Sequence, residues 1–197
     1  MKSDIISIRN EVQQTDIERV LKEVEKLAKY KELDEKQTLH LRLLAEELIG
    51  FQKGILGFCE GNLYIENEGN EYKICLHADV KMDIWSKDRA VEFATDHINS
   101  AYLGFKGKLR MIMDTMFQES EIRTGVDEYR GFLLNDINDF NFDDYDKAWS
   151  LNEYKNSIEE DSSDWDMLEH SILANIADDI IVAARNNYVD IIVSKKF

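Results

Sequence analysis

The chain has 197 residues, a formal net charge of −16 and 44% hydrophobic residues, including three Trp, eight Tyr and nine Phe. That much apolar side chain supports a folded core and excludes a disordered polyelectrolyte. The charge excludes general binding to nucleic acid or anionic membranes, whose phosphates call for a surplus of Lys and Arg, and it favours a basic protein as partner.

Two cysteines, Cys59 and Cys75, make neither a CxxC pair nor a framework of bridges, which fits reduced thiols in a cytoplasmic protein. The first twelve residues lack the basic start and apolar run of a signal peptide, and no stretch approaches the ~18 apolar residues of a membrane span. Proline is absent, so element ends must be marked by Gly, Asn and caps.

Residues 5–12 alternate as a short strand. A helix follows, opened by a Thr15/Glu18 capping box, with Ile17, Val20, Leu21, Val24, Leu27 and Ala28 on one stripe. Asp34 and Gln37 open a second helix whose stripe is Leu41, Leu44, Leu48, Phe51 and Ile55, widened by Leu39, Leu43 and Ile49. Gly50 and Gly54 lie near its end, where either the helix stops or another backbone or a ligand comes close.

From Gly61 the period becomes two, and Glu68-Gly69-Asn70 separates Leu63 and Ile65 from Tyr72, Ile74 and Leu76 as the turn of a hairpin. Ser86 caps a short helix through His97, and a longer helix starts at about Gly107 with Leu109, Ile112, Met113, Met116 and Phe117 on one face. Between 124 and 165 periodicity fades and Asp and Glu alternate with Phe and Trp, which suggests an acidic, aromatic-rich insertion folding onto the body or onto a partner. A helix over 168–177, with Leu168, Ile172 and Ile176 stacked, leads to a final hairpin around Asn186-Asn187.

This order predicts one α/β domain over 1–197, a two-layer sandwich with helices on one face of a mixed sheet. The segment Leu41-Arg-Leu-Leu-Ala-Glu-Glu-Leu-Ile-Gly-Phe resembles the catalytic helix of the GHKL superfamily, the gyrase, chaperone, histidine kinase-like and anti-sigma factor-like ATPases. There a glutamate precedes a metal-holding asparagine by four residues. The resemblance implies an ATP- or ADP-binding regulatory protein, close to degenerate bacterial anti-sigma-like or histidine kinase-like members, with ATPase or kinase activity left open.

On that resemblance Glu47 takes the place of the catalytic glutamate and Phe51 that of the asparagine. Phe offers Mg²⁺ no oxygen, so metal-assisted chemistry is in doubt. Asp79 takes the adenine-contacting place, although Asp79-Val-Lys-Met-Asp83 lacks the family's glycines. Gly104-Phe-Lys-Gly-Lys-Leu-Arg matches the second glycine box, where Gly104, Gly107 and Lys108 would hold phosphate with amides, helix dipole and charge.

Each residue also has a plain structural reading: Glu47 as a helix-edge carboxylate, Asp79 as a solvated strand end, and 104–108 as a glycine turn with lysines facing water. Glu46 lies one turn after Arg42 and can pair with it. His40, His77, His97 and His170 are scattered, without the spacing of a zinc site. Asp139-x-Asn141-x-Asp143 starts like a calcium loop but has Asp144 at the turn-glycine position and Ser150 at the final glutamate position, so no metal site is predicted. The competing function is a non-catalytic interaction module that keeps the fold and binds a basic protein through its acidic segment.

Overall fold

Period-two alternation makes strands wherever one side chain in two is apolar, and the longest strands of this chain occur as two hairpins. The computed structural model describes residues 2, 6–8, 14–52, 60–80, 104–123, 148–158, 165, 168–185 and 188–197. Strands β2 (Glu60–Glu68) and β3 (Glu71–Asp79) form the first hairpin, and β5 (Asp179–Arg185) and β6 (Tyr188–Lys196) the second. Gly69 turns the first at φ +60°, while Asn70 stays out of the left-handed region, the pattern of a type II′ turn with glycine leading.

Among the described residues the sheet has six strands in the order β1-β2-β3-β6-β5-β4, with β1 (Ile6–Ile8) and β4 (Ala148–Ser150) outermost. Every pairing is antiparallel, so the mixed sheet expected from the sequence is not what forms among the described residues. The reason is local within each hairpin and long-range between them. Short turns force antiparallel partners within each hairpin, and β6 then meets β3 with opposite direction along nine residue pairs.

Helix α1 (Gln14–Tyr30) buries Val20, Val24, Leu27 and Ala28, as its stripe requires. It begins at Gln14, so Thr15 sits inside the first turn and is not the cap. The chain leaves α1 through a Schellman turn: the Leu33 N–H donates to the Ala28 carbonyl at 3.0 Å, the Glu32 N–H to that of Lys29 at 3.3 Å, and Glu32 holds φ +54°.

Helix α2 (Glu35–Phe51) has the full capping box predicted for it. The Gln37 N–H donates to Asp34 Oδ1 at 2.8 Å and the Asp34 N–H to Gln37 Oε1 at 3.0 Å. Its buried face is Leu41, Leu44, Ala45, Leu48, Ile49 and Phe51, whereas Leu39, expected to widen that face, is 53% exposed. Arg42 reaches across to Glu25 of α1 at 2.9 Å instead of back to Glu46, so it ties two helices together. Gly54 and the 86–97 helix expected from the sequence lie outside the described residues.

Helix α3 (Phe105–Arg123) packs Leu109, Met113 and Phe117 into the core. The short α4 (Leu151–Ser157) and α5 (Ile172–Ile176) are capped by Ser150 and Ser171, whose hydroxyls accept from Glu153 and Ala174 N–H groups. The Ser171 cap interrupts the continuous helix expected over 168–177, which turns Ile172 outward at 45% exposure and buries Leu173 and Ala174 in its place.

These helices share one hydrophobic cluster with Leu63, Ile65, Ile74, Leu76, Ile180, Val182, Val189, Ile191 and Val193, all on one face of the sheet. Full burial of each such side chain contributes about 1.5–3 kcal/mol. Strand β4 and helix α4 fall inside the segment read from sequence as an insertion, yet Trp149 and Tyr154 pack against this cluster and Leu151 is fully buried. That portion folds onto the body, one of the two arrangements expected of the segment. On the second face Tyr64, Cys75 and Ile192 form a separate small cluster. No helix among the described residues is long and apolar enough to cross a membrane.

Candidate functional site

Glu47 lies half-buried on α2, between the buried Ala45 and Leu48, while its neighbour Glu46 is exposed. One turn on, Phe51 is fully enclosed in the core. Asp79 ends β3 and is exposed; the pleat directs it to the same side as Cys75 and His77, away from the Leu76 and Ala78 side chains that meet the helices. Glu47 and Asp79 therefore belong to opposite faces of the sheet.

Gly104 takes φ +85° just before α3, a conformation that favours glycine, and its carbonyl accepts from the Lys108 N–H at 3.2 Å. The helix thus starts at Phe105, not at about Gly107, and Gly107 is buried inside its first turn. The Lys108 ammonium sits 5.0 Å from the centre of the Tyr154 ring of α4, in cation–π range. The structure thus brings Gly104, Gly107 and Lys108 together as one helical turn, but a turn whose second glycine is interior.

Sequence reasoning missed a different cluster. The β3–β6 register sets His77 directly opposite Asp190, and His77 Nδ1 lies 2.6 Å from Asp190 Oδ1. The Asp190 side chain has 0% exposure and that of His77 29%. Tyr188, next to Asp190 on the same face, stacks on the imidazole at 5.2 Å between centroids and 15° between planes. Across β2, Asn62 pairs with His77 in register and accepts from Ser7 Oγ at 2.8 Å, which extends a polar row over four strands.

A carboxylate on Nδ1 fixes the ring orientation and, in the neutral ring, the tautomer with the proton on Nδ1; Nε2 is then the nitrogen not engaged by Asp190. Burial alone would pull the His77 pKa down, but the hydrogen bond and charge of Asp190, with the charge of Asp79, more than offset it and leave it raised. Burial pushes the Asp190 carboxyl up, and the hydrogen bond and charge of His77 pull it back only in part. On the same face, burial first and then the charge of Glu66 push the Cys75 thiol up to about 12, which keeps it an inert thiol. Chemically, the His77–Asp190 pair can hold or release one proton at a fixed place.

The signal for this pair was a lone Asp190 within an otherwise apolar run at 188–193, since a buried carboxylate in a strand needs a partner. Among the described residues no group of three or more His, Cys, Asp or Glu is placed to hold a metal ion. At the tip of the first hairpin a groove of about 360 Å³ is lined by Lys2, Glu66, Asn67, Glu68, Glu71 and Lys73, remote in register from His77. Comparison with protein-family models, curated proteins and solved structures finds no match for this chain.

Proposed function

We propose that this chain is a non-catalytic interaction module that binds a basic protein partner. The observation that carries the reading is the complete burial of Phe51 among core side chains. A metal-dependent nucleotide site of the kind the sequence resembles needs an oxygen ligand there, and this position supplies packing instead. Charge supplies the partner class: segment 124–165 holds twelve acidic and three basic residues, a net of nine of the chain's sixteen negative charges. Such a concentration raises encounter rates with a basic surface and makes binding salt-sensitive.

The test is affinity capture at low and high salt, with wild type and a variant in which Asp143, Asp144 and Asp146 become Asn. Capture of basic proteins that is lost in both the variant and high salt supports the reading. Equal capture by the variant sinks it.

A second reading is nucleotide binding at 104–108, favoured by the left-handed Gly104 ahead of a 19-residue helix and by Lys108 in its first turn. It predicts a rise in melting temperature with millimolar ATP or ADP, with or without Mg²⁺, because a ligand at ~100 times its Kd adds about 2.7 kcal/mol of stability. A Lys108→Glu variant removes that rise if phosphate rests there. No rise under any of these conditions leaves only the interaction reading.

A further inference from the structure

Among the described residues the two hairpins pair where β3 meets β6, and the two faces of that seam differ in kind. On the helix-covered face three of the four cross-seam pairs are apolar, Ile74 with Val193, Leu76 with Ile191 and Ala78 with Val189, and Tyr72 meets Lys195 at the end. On the second face they are Glu71 with Lys196, Lys73 with Ser194, Cys75 with Ile192, His77 with Asp190 and Asp79 with Tyr188. We propose that the His77–Asp190 pair is a proton-dependent staple across this seam, so that the joint between the two hairpins is strongest when the imidazole is protonated and slackens when it is not.

Geometry carries the argument. Asp190 is wholly buried, and a buried carboxylate is tolerated when a partner of opposite charge meets it at hydrogen-bond distance. The 2.6 Å contact and the half-exposed imidazole supply that partner while leaving the ring able to exchange its proton with water. From β6 come Asp190 and Tyr188, from β3 itself Asp79 and Cys75, and from β2 Asn62 in the same row and Glu60 in the next; β5 presents Ala183 in the row of Asp190 and Arg185 in the row of Tyr188. Three of these are carboxylates against the one base Arg185, and of the carboxylates Asp190 is in hydrogen-bond contact with the ring.

The sign follows. His77 has a folded pKa above its ordinary 6.5, so its contribution to stability is fully present below 6.5 and is lost as pH rises through the folded value. Deprotonation leaves the Asp190 carboxylate buried against a neutral ring. The inference is independent of the partner reading and survives its failure.

The experiment uses the full chain. The His77 ring is titrated by NMR, and urea unfolding is followed at several pH values from 6 to 9, for wild type, His77→Gln and Asp190→Asn. The expected results are a wild-type midpoint above 6.5, a midpoint displaced downward in Asp190→Asn, and a fall in wild-type stability with pH that His77→Gln flattens. A wild-type midpoint at or below 6.5, or the same pH slope in His77→Gln as in wild type, overturns the proposal. Should either variant fail to fold, the wild-type ring titration alone still decides it.

Discussion

Replacing Phe51 by Asn would restore the residue type that the GHKL resemblance asks for, and the structure assigns that change a large cost. Phe51 is fully buried at the end of α2, in the same cluster as Leu48 and Phe117. Removing a buried phenyl ring costs about 3–5 kcal/mol in lost transfer energy and cavity. An amide placed there without partners adds about 1–3 kcal/mol. The expected loss of about 4–8 kcal/mol approaches the whole stability of a marginal domain. At about 2–4 °C per kcal/mol for a chain of this size, the melting temperature drops by roughly 8–32 °C, or the variant fails to fold. Phe51→Leu, which keeps the apolar contact, should lose less than half as much. Urea unfolding monitored by near-UV circular dichroism measures all three proteins, and ATP titration with Mg²⁺ accompanies it. An Asn variant as stable as wild type that also gains Mg²⁺-dependent nucleotide binding would refute the core assignment of Phe51 and restore the enzymatic reading.

Three further changes test the local structure. Glu32→Gly should raise stability by about 0.5–1 kcal/mol in urea unfolding, because Glu32 holds φ +54° at the Schellman position where glycine carries no Cβ penalty. Asp34→Ala should lower it by about 1 kcal/mol, since it removes the acceptor for the Gln37 N–H and half of the capping box. Gly61→Val should lower it by at least ~1–3 kcal/mol: a Cβ there already meets the His77 carbonyl oxygen at 3.0 Å and Gln52 Nε2 at 3.2 Å, and the extra methyls overpack a buried strand. Gly61→Ala should fall between Val and wild type, and thermal melts of the pair measure the grading.

What the sequence made legible was what is local. Asp34 and Gln37 stand three residues apart, so their reciprocal hydrogen bonds are a property of one turn and could be read directly. Gly69-Asn70 between two period-two runs fixed the first hairpin for the same reason. The direction of β6 against β3 was not legible, because it depends on where a hairpin more than a hundred residues later docks. The His77–Asp190 pair, 113 residues apart, exists only by virtue of that docking. Strand β4 escaped because three residues in an acidic stretch show no period, and its pairing with β5 and the packing of Trp149 and Leu151 are tertiary contacts that their own pattern does not announce. For Phe51 two readings of one sequence competed, and periodicity, which put it on the stripe of Leu44 and Leu48, matched the structure.

The same separation of local from long-range order bears on function. The nucleotide reading needs a carboxylate at the base, a glycine turn at the phosphates and a glutamate beside the reacting bond to converge on one cavity. The turn at 104–108 and Glu47 both belong to the layer of helices whose apolar faces fill the core. Asp79, by the pleat of β3, points to the other side, where its charge instead supports the protonated His77. On the helix side Phe51, one turn after Glu47, is enclosed in the core. The fragments that look like a family signature are therefore each accounted for by a nearer physical role: Gly104 opens a helix, Lys108 lies over Tyr154, Asp79 biases an imidazole. The net of nine negative charges in 124–165 is a sequence feature, and it is the one on which the proposed interaction reading rests.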